Sequence, residues 1–275
     1  MVGESSPQYP FHLCQPDAEK SCGACCGLYN WEDHSRATLE SLLQRRTSLF
    51  FSLGENPDLN QYRSLSEGPP ANRKLLETIY NCEFLGFIDK ERKRAGCLLH
   101  PAIHQGVDRR GESFYGAELC AGHFCPSFTH LTTVEQIAVL RTLDDWYLYG
   151  LVITDIDLIK DFFKHVQNGL RESLCPDRLG NLGVSQALSD FFRLKESWKF
   201  ASSKGRLGKY YFSHSEYQIA RIEYEKNWKI RPSNFEKILV SLSSEFGSKE
   251  DILEAESMIE EKIKRFVEAY QCTSP

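Results

Sequence analysis

The stretch SCGACCGLY, Ser21 to Tyr29, brings three cysteines into five consecutive residues: Cys22, Cys25 and Cys26. A fourth, Cys14, stands eight positions before the first of them. Thiolates crowded at one point of the chain repel one another unless a soft cation is bound among them. The stretch therefore predicts a metal site, and we expect the first half of the chain to be organised around it.

The composition is that of a globular protein, and its charge does not favour a nucleic-acid partner. The chain has 275 residues, of which 41% are hydrophobic, enough to bury a core without covalent staples. Its formal net charge is −5. Surfaces that bind phosphate backbones usually carry a basic excess, so this balance argues against nucleic acid as the main partner.

The cysteine content points to metal chemistry in a reducing compartment. The N-terminus lacks the basic and then apolar regions of a secretory signal, and no apolar run approaches the ~20 residues of a spanning helix. We therefore expect a cytoplasmic protein with no membrane partner. In that setting its ten cysteines are more readily metal ligands or catalytic thiols than disulfides. Cys175 and Cys272 stand apart in the second half and are typical of buried small hydrophobes.

The first half is predicted to contain one long helix and two short extended segments. Apolar residues recur at near-helical spacing from Leu39 to Leu53, and Gly54 follows as a C-terminal stop. Residues 84–88 and 98–99 are predicted to be short strands or extended segments. The remaining predictions are an extended arm over residues 1–20 and loops over residues 57–72 and 105–116.

The second half is predicted to be predominantly helical. Thr132, followed three residues later by Glu135, is a capping-box signature. An apolar stripe then continues at helical spacing from Ile137 to Leu148. Further helices are predicted over residues 155–166, 184–200, 216–229, 234–246 and 249–270.

These patterns predict a mainly α fold. An irregular, cysteine-rich, metal-binding N-terminal half with few short strands would precede a helical half. The corresponding domains are residues 1–130 and residues 131–275, although the helices allow both parts equally well to pack as one unit.

Eight cysteines before residue 126 are candidate metal ligands. Tetrahedral sites commonly take a close pair of ligands from one segment and further ligands from distant ones, because one short peptide hardly encloses an ion. Eight thiols suffice for two such sites or for one site with spectators, and a cluster of iron and sulfide is also held by four thiolates. The candidates are Cys14, Cys22, Cys25, Cys26, Cys82, Cys97, Cys120 and Cys125.

Three segments carry a family resemblance. The strings CGACC at residues 22–26, CEFL at 82–85 and GCLLHP at 96–101, with further cysteines downstream, resemble the YkgJ-type cysteine cluster family. That family is described as a zinc- or iron-chelating domain with a CxxCxxCC signature. The resemblance covers residues 14–130 and implies zinc or an iron–sulfur cluster as cofactor.

The sequence departs from the family pattern at several ligand positions. Glu19 stands where the signature has its first cysteine, so Cys14 either substitutes for it or takes no part. The segment that carries the last ligand is lengthened, so Cys120 and Cys125 are both candidates, and His123 between them is a further one.

Basic residues and histidines near the cysteines are weaker candidates. Arg92, Lys93, Arg94, Arg109 and Arg110 would offset thiolate charge, although a solvated loop face is the more ordinary interpretation. His100 and His104 are favoured as core or surface histidines, because Pro101 makes a helical i, i+4 pair awkward. The aspartates of the second half, Asp155 among them, lie at predicted helix starts or on polar faces and are expected to act there rather than in catalysis.

Three functions follow from the pattern, and whether the chain is an enzyme is left open. The first is an intracellular protein that coordinates zinc or an iron–sulfur cluster through clustered cysteines. The second is an iron–sulfur enzyme that acts on a protein or a small molecule, for example by protein modification. The third is a zinc-stabilised module that binds a partner protein. The spacing of cysteines supports coordination and does not decide the reaction.

Overall fold

A computed structural model gives the architecture, which is about 54% helical and therefore mainly α, as predicted. None of the helices within the described ranges is both long enough and apolar enough to cross a membrane. The structure describes residues 12–54, 56–66, 72–170, 172–202, 207–212 and 215–273.

Helices occur along the whole of the described chain, and the strands form two separate antiparallel pairs. The helices are α1 Arg36–Ser52, α2 Leu59–Ser66, α3 Gly116–Gly122, α4 Pro126–His130, α5 Thr133–Thr142, α6 Trp146–Ile153, α7 Ile156–Gly169, α8 Leu182–Phe192, α9 Leu194–Ser197, α10 Tyr224–Trp228, α11 Glu236–Ser241 and α12 Lys249–Gln271. The strands are β1 Leu85–Phe87, β2 Ala95–Cys97, β3 Lys209–Phe212 and β4 Ser215–Gln218.

The long helix of the first half forms where its apolar spacing predicts it. Leu39, Leu43 and Phe50 are buried on one face of α1, which packs against β1. The helix ends before Gly54, whose φ of +92° is a left-handed conformation that glycine adopts without strain. The predicted C-terminal stop is therefore confirmed.

The two cysteine-bearing extended segments pair as a hairpin. Leu85 lies opposite Cys97 and Phe87 opposite Ala95. The carboxylate of Asp89 closes the charged turn by accepting hydrogen bonds from the N–H groups of Lys93 and Arg94, at 2.9 and 2.7 Å. The strand predicted over residues 84–88 is confirmed for Leu85–Phe87.

The strand predicted over residues 98–99 is wrong, since the pairing strand ends at Cys97. The Leu98 N–H still donates to Phe84 O at 2.7 Å, but both leucines belong to a turn. Leu98 and Leu99 are fully buried in a cluster with Phe84 and Tyr62. Burial of both side chains in one core is incompatible with the alternation of faces that a strand imposes.

The second half contains two of the predicted helices at nearly the predicted bounds, α7 and α12, and α5 begins where its capping box predicts. Thr132 and Glu135 form the predicted capping box at the start of α5. The stripe predicted to run on to Leu148 is broken, because the Asp145 carboxylate accepts from the N–H of Leu148 at 3.0 Å and so caps a new helix, α6.

Several other predicted elements are wrong in type or extent. The predicted loop over residues 57–72 contains α2, and residues 67–71 lie outside the described residues. The predicted helix over residues 216–229 is instead strand β4 followed by the short α10. Tyr217 pairs with Tyr210 in that hairpin, and aromatic cross-strand pairs favour a sheet. Residues 184–200 divide into α8 and α9, and α11 is shorter than predicted.

The cysteine-rich part and the helices share buried contacts. Leu13 and Cys125 belong to the same apolar cluster as Phe162, at the centre of the helical half. Tyr29, in the cysteine stretch, donates its hydroxyl to Tyr147 O in α6 at 3.0 Å. The division into domains at residue 130 stays a prediction, whereas these contacts establish that the two parts pack together.

Gly150→Ala is expected to lower the free energy of unfolding by about 1–3 kcal/mol, because the site is already full. A Cβ at residue 150 would lie 2.1 Å from the Tyr29 hydroxyl oxygen. In the Tyr29→Phe background that oxygen is gone, so the same alanine substitution should cost measurably less. Chemical denaturation of the wild type, G150A, Y29F and Y29F/G150A gives the free energy of unfolding of each protein. The cost of the alanine with and without the Tyr29 hydroxyl follows from these four values.

Gly183→Ala serves as the control for Gly150→Ala. Gly183 lies in α8, where the added Cβ would meet only Asn181 Oδ1, at 3.5 Å. Alanine favours helix there by up to about 1 kcal/mol, so this variant should be neutral or more stable. Equal losses in G150A and G183A would contradict the close contact with Tyr29.

Candidate metal centre

A tight turn presents the three clustered cysteines. Residues Ala24–Cys26 form one turn of 3-10 helix that ends at Gly27, where φ is +80°. A Cβ at Gly27 would lie 2.6 Å from the Tyr80 carbonyl oxygen. Glycine is therefore required at residue 27 both by its conformation and by the close approach of another segment. That segment leads directly to Cys82.

Backbone hydrogen bonds attach this turn to two distant cysteines. The N–H of Cys22 donates to the carbonyl oxygen of Cys14 at 2.8 Å. The N–H of Cys82 donates to the carbonyl oxygen of Cys26 at 2.9 Å. The turn is thus bound on one side to the N-terminal arm and on the other side to the segment before β1.

The first set of cysteines, which we call the arm group, consists of Cys14, Cys22, Cys25 and Cys125. Burial raises the pKa of the Cys14 thiol well above its usual range, and the neighbouring charges of Cys22 and Cys125 raise it further. Burial likewise raises the pKa of Cys25, with further contributions from Cys125, Cys22, Cys14 and, last, the adjacent Cys26. The four thiols therefore lie close enough for their charges to interact.

The second set, which we call the hairpin group, consists of Cys26, Cys82, Cys97 and Cys120. Burial raises the pKa of Cys82 well above its usual range, and Cys26 contributes most among the nearby thiols. Burial also raises the pKa of Cys97 to about 11, where Cys120 is the neighbouring thiol whose charge adds to the shift. The pKa of Cys26 is raised by burial first and by Cys97 next, with smaller contributions from Cys14, Cys120 and Cys22.

Several of these sulfurs accept hydrogen bonds from donors on the same or a neighbouring loop. The N–H of Ala24 lies 3.5 Å from Cys22 Sγ, and the N–H of Leu99 lies 3.4 Å from Cys97 Sγ. In both cases the donor is two residues after the cysteine. Hydrogen bonds to sulfur stabilise the thiolate form, which is the form that binds a metal. Each group therefore contains one sulfur with an N–H donor of the kind that stabilises a metal-bound thiolate.

The hairpin group also has a cation beside it. Arg110 forms a two-pronged ion pair with Asp108, at 2.9 and 2.7 Å, and donates to the carbonyl oxygen of Cys120 at 3.4 Å. Its charge acts on Cys97 and Cys120. Two of the other basic candidates pair elsewhere, Lys93 with Glu19 and Arg94 with Asp89.

The histidines near the cysteines make local backbone contacts. His100 Nδ1 accepts from the N–H of Ala102 at 3.1 Å and caps the short turn that follows. His104 Nε2 lies 2.7 Å from the carbonyl oxygen of Leu98. His123 caps α3, and its N–H donates to the carbonyl oxygen of Leu119 at 3.0 Å.

The two cysteines of the second half lie apart from these groups. Cys175 is half-buried, and its N–H donates to the Tyr270 hydroxyl at 2.6 Å. Cys272 is exposed at the end of α12, so the expectation that it is buried is wrong for that residue. The final turn of the helix places its side chain in solvent.

Tyrosines from two distant elements hold the cysteine loops in place. Tyr149, in α6, donates its hydroxyl to the carbonyl oxygen of Leu13 at 2.8 Å, directly before Cys14. Tyr210, in β3, donates to the carbonyl oxygen of Ala24 within the clustered turn. Both rings are buried. The aromatic run WYLYG at residues 146–150 was the available signal, but it did not identify which hydroxyls bind the loops.

In neither group are three or more side chains spaced as ligands of one metal ion. Within the part of the chain that the structure describes, no three His, Cys, Asp or Glu side chains are spaced to hold one metal ion. With Zn–S bonds of about 2.3 Å, the sulfurs of a tetrahedral site lie about 3.8 Å apart. Direct coordination would therefore require the cysteine side chains of a group to rotate towards a common centre, as expected where binding and site formation are coupled.

Comparisons with protein-family models, with curated proteins and with solved structures find no match to this chain. The resemblance to the YkgJ-type family thus stays a prediction carried by the segments around Cys22, Cys82 and Cys97.

Proposed function

We propose that this chain is a metal-binding protein that holds zinc or an iron–sulfur centre through its clustered cysteines. The observation that carries the proposal is that eight cysteines from separate segments gather at the turn over residues 22–26: backbone hydrogen bonds join Cys14 and Cys82 to it, and Cys97, Cys120 and Cys125 lie within range of its thiols' charges. The eight cysteines come from the N-terminal arm, the clustered turn, the hairpin and the segment that ends at α4. Their other ordinary role is that of small apolar side chains in a core.

Packing alone does not account for that convergence. A core that needs only small apolar side chains gains nothing when thiols from separate segments are neighbours, and valine or alanine would fill the same space. Thiols that lie within range of one another's charge and accept N–H hydrogen bonds have the properties of metal ligands. Zinc and iron–sulfur centres are both bound by such sets of four.

Purification under anaerobic conditions, followed by analysis for zinc, iron and acid-labile sulfide, is expected to find bound metal in a fixed ratio to protein. Zinc alone would leave the protein colourless. Iron with sulfide would colour it brown, with absorption in the visible range. A protein that is fully folded and binds neither metal, even after anaerobic reconstitution with zinc, would overturn the proposal.

The variant C25S/C26S is expected to lose most of the bound metal, because it removes one thiol from each group. The variant C175S/C272S removes two cysteines outside the groups and is the matched control, with metal content unchanged. If both variants lost metal equally, the assignment of ligands to the first half of the chain would be wrong.

A zinc-stabilised interaction module is the second candidate. Large apolar side chains are exposed on the segment that carries Cys120: Phe114 is 68% exposed, Leu119 59% and Phe124 52%. Exposed apolar side chains on one segment are typical of surfaces that bind another protein. A structural metal would hold such a segment in one conformation.

The enzyme alternative has weaker support. It requires a pocket next to the metal, with helices of the second half in its walls. A cleft of about 550 Å³ does lie between α5 and α7, with Glu135, Lys160 and Phe163 in its lining. None of the eight clustered cysteines lines that cleft, so its position does not favour metal-dependent catalysis.

A further inference from the structure

We infer that the eight cysteines form two separate four-thiolate centres, the arm group and the hairpin group, joined at the peptide bond between Cys25 and Cys26. This inference rests on the proposed metal-binding function and specifies its stoichiometry and its ligands. The alternatives are one four-ligand site with four spectator cysteines, or one site that draws ligands from both groups.

The conformation of the clustered turn separates its two adjacent cysteines. Cys25 and Cys26 are consecutive residues of a 3-10 helix. With about three residues per turn, consecutive side chains on such a helix diverge by about 120° around its axis. The two thiols therefore extend from different sides of the turn, which favours a separate set of neighbouring thiols for each.

The packing of the apolar clusters separates Cys25 from Cys26, although Cys22 and Cys26 both also border a third cluster, formed around Tyr29 and Trp31. Cys125 lies in the large helical core, and Cys22 and Cys25 pack against that core. Cys82 lies in a different cluster, formed with Phe50, Phe84 and Leu98, against which Cys26 and Cys97 pack. Because Cys25 and Cys26 border different cores, each draws its neighbours from a different part of the fold.

Hydrogen bonds assign the remaining two cysteines. Cys14 is joined to Cys22 by a backbone hydrogen bond of 2.8 Å and so belongs with the arm group. Arg110 donates to the carbonyl oxygen of Cys120 at 3.4 Å, and the N–H of Arg109 donates to Leu99 O at 3.1 Å, directly after the hairpin, so Cys120 belongs with the hairpin group. Each group then has four thiols, which is the complete ligand set of a closed zinc site or of a four-iron cluster.

The two centres would have different structural roles. The arm group connects the N-terminal arm at Cys14 to the start of α4 at Cys125, so a metal there fastens the arm onto the helical half. The hairpin group connects Cys82 and Cys97, on either side of the hairpin, to α3 at Cys120. A metal in that group fastens the hairpin to the following loops.

Two paired substitutions test this division on the full chain. C14S/C125S removes two ligands from the arm group, and C82S/C120S removes two from the hairpin group, while the clustered turn keeps its sequence in both. After anaerobic reconstitution with zinc alone, each variant is expected to retain about half of the wild-type zinc. The combination of all four substitutions is expected to retain almost none.

The number of metal ions bound by the wild-type chain tests the inference even if a variant fails to fold. Titration with Co²⁺, followed through its thiolate charge-transfer absorption, is expected to break at two equivalents per chain, with Cys175 and Cys272 alone still open to alkylation at the end point. A break at one equivalent would overturn the division into two centres but leave the proposed metal binding intact. No thiolate absorption at any ratio would overturn both.

Discussion

Chelation of the bound metal is expected to unfold the cysteine-rich loops while the long helices persist. The segments that carry the eight cysteines hold two three-residue strands, several short turns of 3-10 helix and the short α3. Such segments bury few backbone hydrogen bonds of their own, so they depend on what joins them. Structural zinc contributes about 10–16 kcal/mol of apparent binding free energy in small zinc domains, far more than any single side-chain contact here.

Hydrogen exchange measured by mass spectrometry, before and after addition of a zinc or iron chelator, would localise this unfolding. Peptides from residues 12–34 and 80–125 should lose protection, whereas those from α7 and α12 should lose little. Zinc added back in excess should restore the original pattern. Equal loss of protection in α12 and in the cysteine loops would contradict a local role for the metal.

Local sequence signals predicted much of the helical half, because the interactions that define those helices lie within a few residues. The capping box at Thr132 and the left-handed Gly54 are both present where the sequence predicts them. Asp155 caps α7, as its position at a predicted helix start indicates. The break at Asp145 was missed because its capping side chain competes with an apolar stripe that continues across it.

The hairpin of β3 and β4 was missed for a different reason. Residues 216–229 contain a pattern of charged and aromatic residues that fits a helix as well as a strand. The Tyr210–Tyr217 pair decides for the strand, and that pair exists only once the two segments meet. Tertiary contact overrides local preference at such positions.

The candidate site was predictable in its members but not in its arrangement. The clustering of cysteines along the chain identifies Cys22, Cys25 and Cys26 without any structure. The grouping of the thiols depends on contacts between segments that are distant in the chain, such as the hydrogen bond between Cys82 and Cys26. Sequence spacing carries no information about those contacts, so it left one site and two sites as equal possibilities.

The most deeply buried ion pair among the described residues also joins residues that are distant in the chain, so local sequence does not predict it. Asp155 was interpreted from the sequence as a helix-starting residue, and its Oδ1 does accept from the N–H of Leu158 at 3.0 Å. Forty residues later, Lys195 forms an ion pair with the other carboxylate oxygen. Nothing in the local pattern of either residue predicts the other as its partner.

Lys195→Met is expected to lower the free energy of unfolding by about 3–5 kcal/mol, because it leaves the Asp155 carboxylate buried without its cation. The Lys195 side chain is 0% exposed and the Asp155 side chain 4%. Lys195 also donates to the carbonyl oxygen of Ser241 at 2.8 Å, and Ser241 donates to Asp155 at 2.8 Å. The substitution therefore breaks a closed network that connects α9, α11 and the start of α7.

Two further variants separate the loss of the cation from the loss of packing. Lys199→Met removes a lysine whose pair with Glu254 is about half exposed on both sides, and exposed pairs contribute only about 0–1 kcal/mol. Adding Asp155→Asn to Lys195→Met keeps a capping side chain and removes the buried charge, so the double variant should recover part of the loss. Urea denaturation of the series measures each step. If K195M cost no more than K199M, the buried carboxylate would already be satisfied by Ser241 and the helix N-terminus, and the lysine would act only as an apolar spacer.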